Sequence, residues 1–301
     1  MIWTMLLAAA APVLQPHIVV RIDPKHRLVE GVASDGGTIW VSSVLDRTIV
    51  ACRRTCHDIA ILPEGLHPLG IAWDEKRRRL WVAAECPKLP GVTPCDRGAV
   101  LALDTNGRIR ERLSPTLGNF HPGDVSASAG RVFVSDSQNG TVYALTPSGK
   151  ALSAIVLPGV GESAQGSALD AGAKRLIVAD YSQGIASIDL KTGVRTLLPR
   201  PNGKPIRGID GLARCGDRYF AIYNGGAAPS RLISFTVGAA SIESGDVVEG
   251  LTFPDPTQLV VAGGQLMFIS DAGWEQAAKP VAESRKPAPV LALPLPAICK
   301  R

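Results

Sequence analysis

The sequence predicts an all-β fold: a six-bladed β-propeller whose ring is closed by an N-terminal strand that completes the last blade. Three observations carry this expectation. A unit of short strands recurs six times, its strands alternate apolar and polar residues between turn signals, and the two chain ends supply complementary parts of one blade.

Each unit has a small or polar entry, an apolar strand, a turn, and a second apolar strand that tends to end in Ser, Asp or Asn. The copies are "EGVASDGGTIWVSSVLDRTIVA" from Glu30, "LGIAWDEKRRRLWVAAE" from Leu69, "GDVSASAGRVFVSDSQNGTVYAL" from Gly123, "QGSALDAGAKRLIVADYSQGIASIDL" from Gln165, "DGLARCGDRYFAIYNGG" from Asp210, and "TQLVVAGGQLMFISDAGW" from Thr257. Their entries Gly31, Gly70, Asp124, Gly166, Gly211 and Gln258 stand 39, 54, 42, 45 and 47 residues apart, a period that suits four short strands per blade. The wide gap holds an insertion with Cys86 and Cys95. Ile39, Val41 and Ser43 alternate with Trp40 and Ser42, and "SDGGT", "DEKRRR" and "QNG" are turns. The last copy supplies only three strands, ending in "PVLALPLP", while "PHIVVRID" at residues 16–23 is unattached. Pairing the two closes the ring and removes an open sheet edge. Residues 16–299 thus form a single propeller domain.

With 301 residues and 46% hydrophobic content the chain can bury a large core. Its net charge of +5 comes from scattered Lys and Arg, and the run Lys76–Arg79 reads as a solvated turn, without the aromatic or helical support of a nucleic-acid surface. The start, "MIWTMLLAAAAPVLQP", resembles the core and cleavage region of a secretory signal, placed at residues 1–11 with cleavage after Ala9 to Ala11; it is too short to span a bilayer. Six cysteines fit a periplasmic or secreted protein. Cys52 with Cys56 and Cys86 with Cys95 form local pairs, which leaves Cys215 and Cys299 for each other. No C-x-x-C pair supports a zinc site.

In a propeller every inner strand starts beside the central channel, so Glu30, Leu69, Gly123, Gln165, Asp210 and Thr257 converge at one mouth, with His67, His121, Asp124 and Gln258 close by. Two carboxylates facing a narrow channel repel unless a cation, protons or basic groups offset them. Taken singly, Glu30 and Asp210 could simply accept backbone amides. Together with Gln165 at the equivalent position, they read as an oxygen-rich site for Ca²⁺, with Mg²⁺, Mn²⁺ or Zn²⁺ as substitutes.

A second recurrent set, Asp46, Glu85, Asp136, Asp180, Asn224 and Asp271, falls at the ends of the second strands. Such recurrence reads as turn fixing, and Asp136, Asp180 and Asp271 are assigned to it. Tyr223 and Asn224 depart from the Asp pattern and, with His67 and Trp274, are candidate substrate contacts. His67 and His121, both in "HP", either point into the channel as bases or cap loops. No G-x-S-x-G element, P-loop or dinucleotide fingerprint occurs.

At these residues the chain resembles the senescence-marker-protein/gluconolactonase family of six-bladed propellers, within a wider set of strictosidine-synthase-like and paraoxonase-like proteins. "VEGVASDGGTIWVS" and "GIDGLARCGDRYFAIYNGG" look like that family's metal-ligand segments. The resemblance implies a channel cation held by Glu30 and Asp210, with Gln165 standing where the family has asparagine. The third blade has only Pro122 or Gly123 at the match. It also implies hydrolysis of lactones. On this reading Asp210 is the first choice as ligand and base, and His121 or Asp124 the second for the base. The expected partner is a small-molecule substrate. A non-enzymatic propeller that binds a small molecule or a protein, and a metal-independent lyase or synthase, are the alternatives.

Overall fold

The computed structural model describes residues 15–95, 97–116, 118–248, 250–277 and 285–295. They form six four-stranded antiparallel sheets, which are the six blades of a β-propeller. The inner strands are Val29–Ser34, His67–Asp74, Pro122–Ser128, Ala164–Leu169, Ile209–Cys215 and Leu259–Ala262. Blades one to five each follow four consecutive strands outward. In the sixth, His17–Ile22 pairs with Ala288–Pro294 as the outermost strand, so the ring closes with the expected N-terminal strand.

The second strand of each blade is buried almost end to end, as in Trp40–Ser43 and Leu80–Glu85, because both faces of every sheet are covered by neighbouring blades. Alternate residues then serve different seams. Trp40 packs with Leu80, Val82 and Leu101 between blades one and two, while Val41 packs with Ile22, Met267 and Val290 between blades six and one. Trp81 and Ala83 face the other way and join Phe120, Val132 and Val134 between blades two and three. The chain therefore needs apolar residues at both phases of the alternation.

One feature of the register positions the channel mouth. In each of blades one to five the pairing of the inner strand slips between its first residues: at Val29/Val32, Pro68/Ile71, Pro122/Asp124, Ala164/Ser167 and Ile209/Leu212. Such bulges release residues from the ladder and re-aim their side chains. Glu30, Leu69, Gly123, Gln165 and Asp210 all lie within these slips. The glycine that follows four of them has a steric cause: a Cβ on Gly31 would come within 2.3 Å of the Leu69 carbonyl oxygen, and one on Gly166 within 2.4 Å of the Leu212 nitrogen.

Cys52–Cys56 and Cys86–Cys95 are disulfides, the first across a hairpin end and the second across the inserted loop. Cys215 is also disulfide-bonded. Cys299, the expected partner, and the proposed signal at residues 1–11 lie outside the described residues. No helix among the described residues is long and apolar enough to cross a membrane.

Candidate active site at the channel mouth

The five bulges open on a cavity of about 520 Å³ lined by Glu30, Leu69, Gly123, Gln165 and Asp210. Glu85, Tyr181, Asn224, Asp255 and Trp274 complete much of its wall. Glu30 is gripped by blade six: the Thr257 hydroxyl donates to its backbone carbonyl at 2.9 Å, and the Trp274 indole N–H donates to Oε2 at 2.6 Å. Trp274 sits at the start of a one-turn helix, Trp274–Ala277, whose first amide donates to the Asp255 carboxylate. Two blades round the ring, Asp210 accepts the Asn224 amide on Oδ2 at 3.0 Å and the Gln258 amide on Oδ1 at 3.4 Å. Gln165 donates to the Ser163 hydroxyl at 3.1 Å, which leaves its amide oxygen beside the cavity.

The electrostatics follow from burial. Burial pushes the Glu30 carboxyl well up; the neighbouring Asp210 adds to this and the Trp274 hydrogen bond opposes it. Asp210 is pushed up to about 7, again first by burial, with Asn224 pulling down and Asp255 pushing up. The site is short of positive charge, since no Lys or Arg is among its described lining residues.

A hard divalent cation takes oxygen ligands, and the lining of the mouth is rich in them. Among the described residues no group of three or more His, Cys, Asp or Glu side chains is placed to hold a metal ion. The mouth instead carries the carboxylates of Glu30, Glu85, Asp210 and Asp255 with the side-chain amides of Gln165 and Asn224, oxygen donors of the type that Ca²⁺ takes. The Asn224 amide spends its nitrogen on Asp210 Oδ2 and the Pro256 carbonyl, and its buried Oδ1 has no hydrogen-bond partner. An orphaned buried acceptor beside two raised carboxyls is what a cation would satisfy.

The other expected residues are dispersed. His121 stands behind the wall, its Nδ1 3.1 Å from Glu85 Oε2, and its backbone amide donates to Asp136 at 2.9 Å. His67 lines a separate cleft of about 180 Å³ with Arg27 and Leu28, and its Nδ1 is held by the Val44 carbonyl at 2.8 Å. Tyr223 lies in the seam between blades four and five under the Arg231 guanidinium, away from the cavity. Asp136 and Asp180 accept backbone amides in their turns, as their recurrence suggested. Tyr181 and Asp255, not singled out in the sequence, both line the mouth.

Asp124 lies deeper, lining a second chamber of about 220 Å³ with Ser126, Ser167 and Gln258. Burial pushes its carboxyl up to about 8; the Val125 amide bond opposes the shift and Asp210 adds to it. An acid raised on folding binds its proton in the folded state while the unfolded chain has lost it. Stability therefore falls as pH rises from the unfolded value of 3.8 to about 8. In chelator, Asp124→Asn is expected to remove up to about 1.4 kcal/mol per pH unit of that slope. Urea unfolding at a series of pH values checks it; equal slopes in both proteins would contradict it.

These observations define a six-bladed β-propeller with an acidic, oxygen-lined channel mouth. No protein-family model matches the chain, and no curated protein matches it significantly. Solved structures do. The PQQ-bound aldose sugar dehydrogenase of Streptomyces coelicolor superposes with a TM-score of 0.64 at 14% identity, covering 95% of this chain and 99% of that one. XC5397 of Xanthomonas campestris, described as a gluconolactonase, gives 0.61 at 15% identity, covering 96% and 99%. Virginiamycin B lyase of Staphylococcus aureus gives 0.59 at 13% identity, covering 94% and 99%. At these identities the likeness is one of fold.

Proposed function

We infer that the chain is a divalent-cation-dependent hydrolase of a lactone or related ester, acting on a small molecule at the channel mouth. The observation that carries this reading is the convergence of Glu30 and Asp210, 180 residues apart but at equivalent bulges of blades one and five, on a cavity that also holds Gln165 and the unpartnered Asn224 Oδ1. Glu30, Asp210, Gln165 and Asn224 would hold the cation. When bound, it polarises the ester carbonyl and stabilises the charge that develops on its oxygen. Asn224 and Gln258 fix the Asp210 carboxylate, and Trp274 fixes Glu30, so neither acid must reorganise as the substrate arrives. Tyr181 and Trp274 provide aromatic wall for the organic body of the substrate.

The likeness to a quinone-dependent dehydrogenase is not carried over, because a tricarboxylate cofactor would meet acids and no described basic side chain in this cavity. Gly123, which contributes no donor on the third blade, favours a second reading in which the same face binds a small molecule or a protein without turnover. The two disulfides within the described residues support export to an oxidising compartment, periplasmic or extracellular.

Calorimetric titration of chelator-treated protein with Ca²⁺ tests the site. One equivalent should bind, and at a hundredfold excess over Kd the fold should gain about 2.7 kcal/mol. Glu30→Gln should lose both effects. Absence of binding by Ca²⁺, Mn²⁺ and Zn²⁺ would sink the cation-dependent reading.

A further inference from the structure

Glu85 departs from its repeat position in a way that changes where it ends. The equivalent positions in blades three and four are Asp136 and Asp180, whose carboxylates accept two or more turn amides each. Glu85 is longer by one methylene. Its hydrogen bond is to a side chain, His121 Nδ1 at 3.1 Å on Oε2, and it joins Glu30 and Asp210 in lining the 520 Å³ cavity. Asp136 in turn holds the His121 backbone amide, so the imidazole is anchored behind the carboxylate it orients. Glu85 is 5% exposed and reaches the cavity wall.

We propose that Glu85 is the general base of this site, held in position by His121. The proposal rests on the hydrolase reading above. Glu85 takes a proton from water as the water oxygen bonds to the acyl carbon. The acyl carbon–ring oxygen bond then breaks, its electron pair goes to the ring oxygen, and that oxygen takes the proton back from Glu85 to give a hydroxy acid. The division of labour is physical. Both oxygens of Asp210 are already held by amides, whereas Glu85 is held through Oε2 alone and keeps Oε1 for a water.

The charged groups around Glu85 are His121, Asp136 and Lys88, with Glu30, Asp210 and Asp255 on the same cavity wall. Burial pushes the Glu85 carboxyl up and His121 pulls it back, so loss of His121 should raise it further.

Steady-state hydrolysis of δ-valerolactone and glucono-δ-lactone by the full chain with Ca²⁺ tests the assignment. Glu85→Gln should lower kcat roughly 10²–10⁴-fold with little change in KM and erase the acidic limb of the kcat/KM profile. Glu85→Asp should lose most of kcat too, because the shortened arm withdraws from the cavity; a turn cap would tolerate the residue that blades three and four use. His121→Phe should move the acidic limb to higher pH, and His121→Gln, which keeps a donor, should restore part of the shift. If Glu85→Gln and Glu85→Asp keep full kcat and an unchanged acidic limb while Asp210→Asn is inactive, the base lies elsewhere and the hydrolase reading stands. If wild-type protein opens neither lactone, the hydrolase reading and the base assignment fail together.

Discussion

Asp210→Asn is expected to lower kcat/KM for lactone hydrolysis by about 10³-fold or more while leaving the metal-free protein as stable as the wild type or more so. The two effects have one origin. Folding buries the carboxyl and raises it to about 7, so it contributes nothing unfavourable below pH 3.8, where both states are protonated. The cost grows between those values and is complete above about pH 7. Asparagine removes the charge and keeps the shape; its oxygen can accept the Asn224 amide, and Gln258 can turn its own amide oxygen toward the new NH2. A residue retained at a cost to stability signals function. Kinetics and urea unfolding in chelator at pH 8 measure the two halves; lower stability with unchanged kinetics would reverse the assignment.

The opposite pattern is expected at Asp180, one strand end away. Its carboxylate, 2% exposed, accepts the amides of Glu162, Ser163, Ser182 and Gln183 and pairs with the buried Arg195 guanidinium at 2.9 Å. Asp180→Ala strands those donors and leaves a buried cation without its partner, at a cost of about 3–5 kcal/mol. For a domain of this size that is a fall in Tm of roughly 5–8 °C. Activity at temperatures where the variant remains folded should be unchanged, because Asp180 does not line the cavity. A loss below about 1 kcal/mol in calorimetry would show that the turn has another support.

Much of this was legible because the repeat superimposes chemistry that sequence distance hides. The period predicted the blades, and the unattached strand at His17–Ile22 predicted the closure. Glu30, Gln165 and Asp210 could be matched because each precedes a glycine at a strand entry. The bulge that makes those glycines necessary was not legible, since a slip in pairing leaves no mark on spacing alone. Glu85 was hidden by its own repeat: a set dominated by Asp reads as turn chemistry, and the one signal against it is a single extra methylene. His67 and Tyr223 show the converse. Both stand near strand ends that face the mouth, but His67 turns into a neighbouring cleft and Tyr223 into a seam, choices set by packing partners remote in sequence. Asp255 sits in "FPDPTQ", where only the folded chain shows its carboxylate under Trp274.

The most direct test of the central claim, a cation-dependent hydrolytic site at the channel mouth, is acid release in a pH-stat from a panel of γ- and δ-lactones. Chelator-treated protein and the same protein reloaded with Ca²⁺ would be compared side by side. Acid release should be lost on chelation and restored with one equivalent of Ca²⁺. Turnover that is indifferent to chelation, or no turnover of any lactone by reloaded protein, would contradict it.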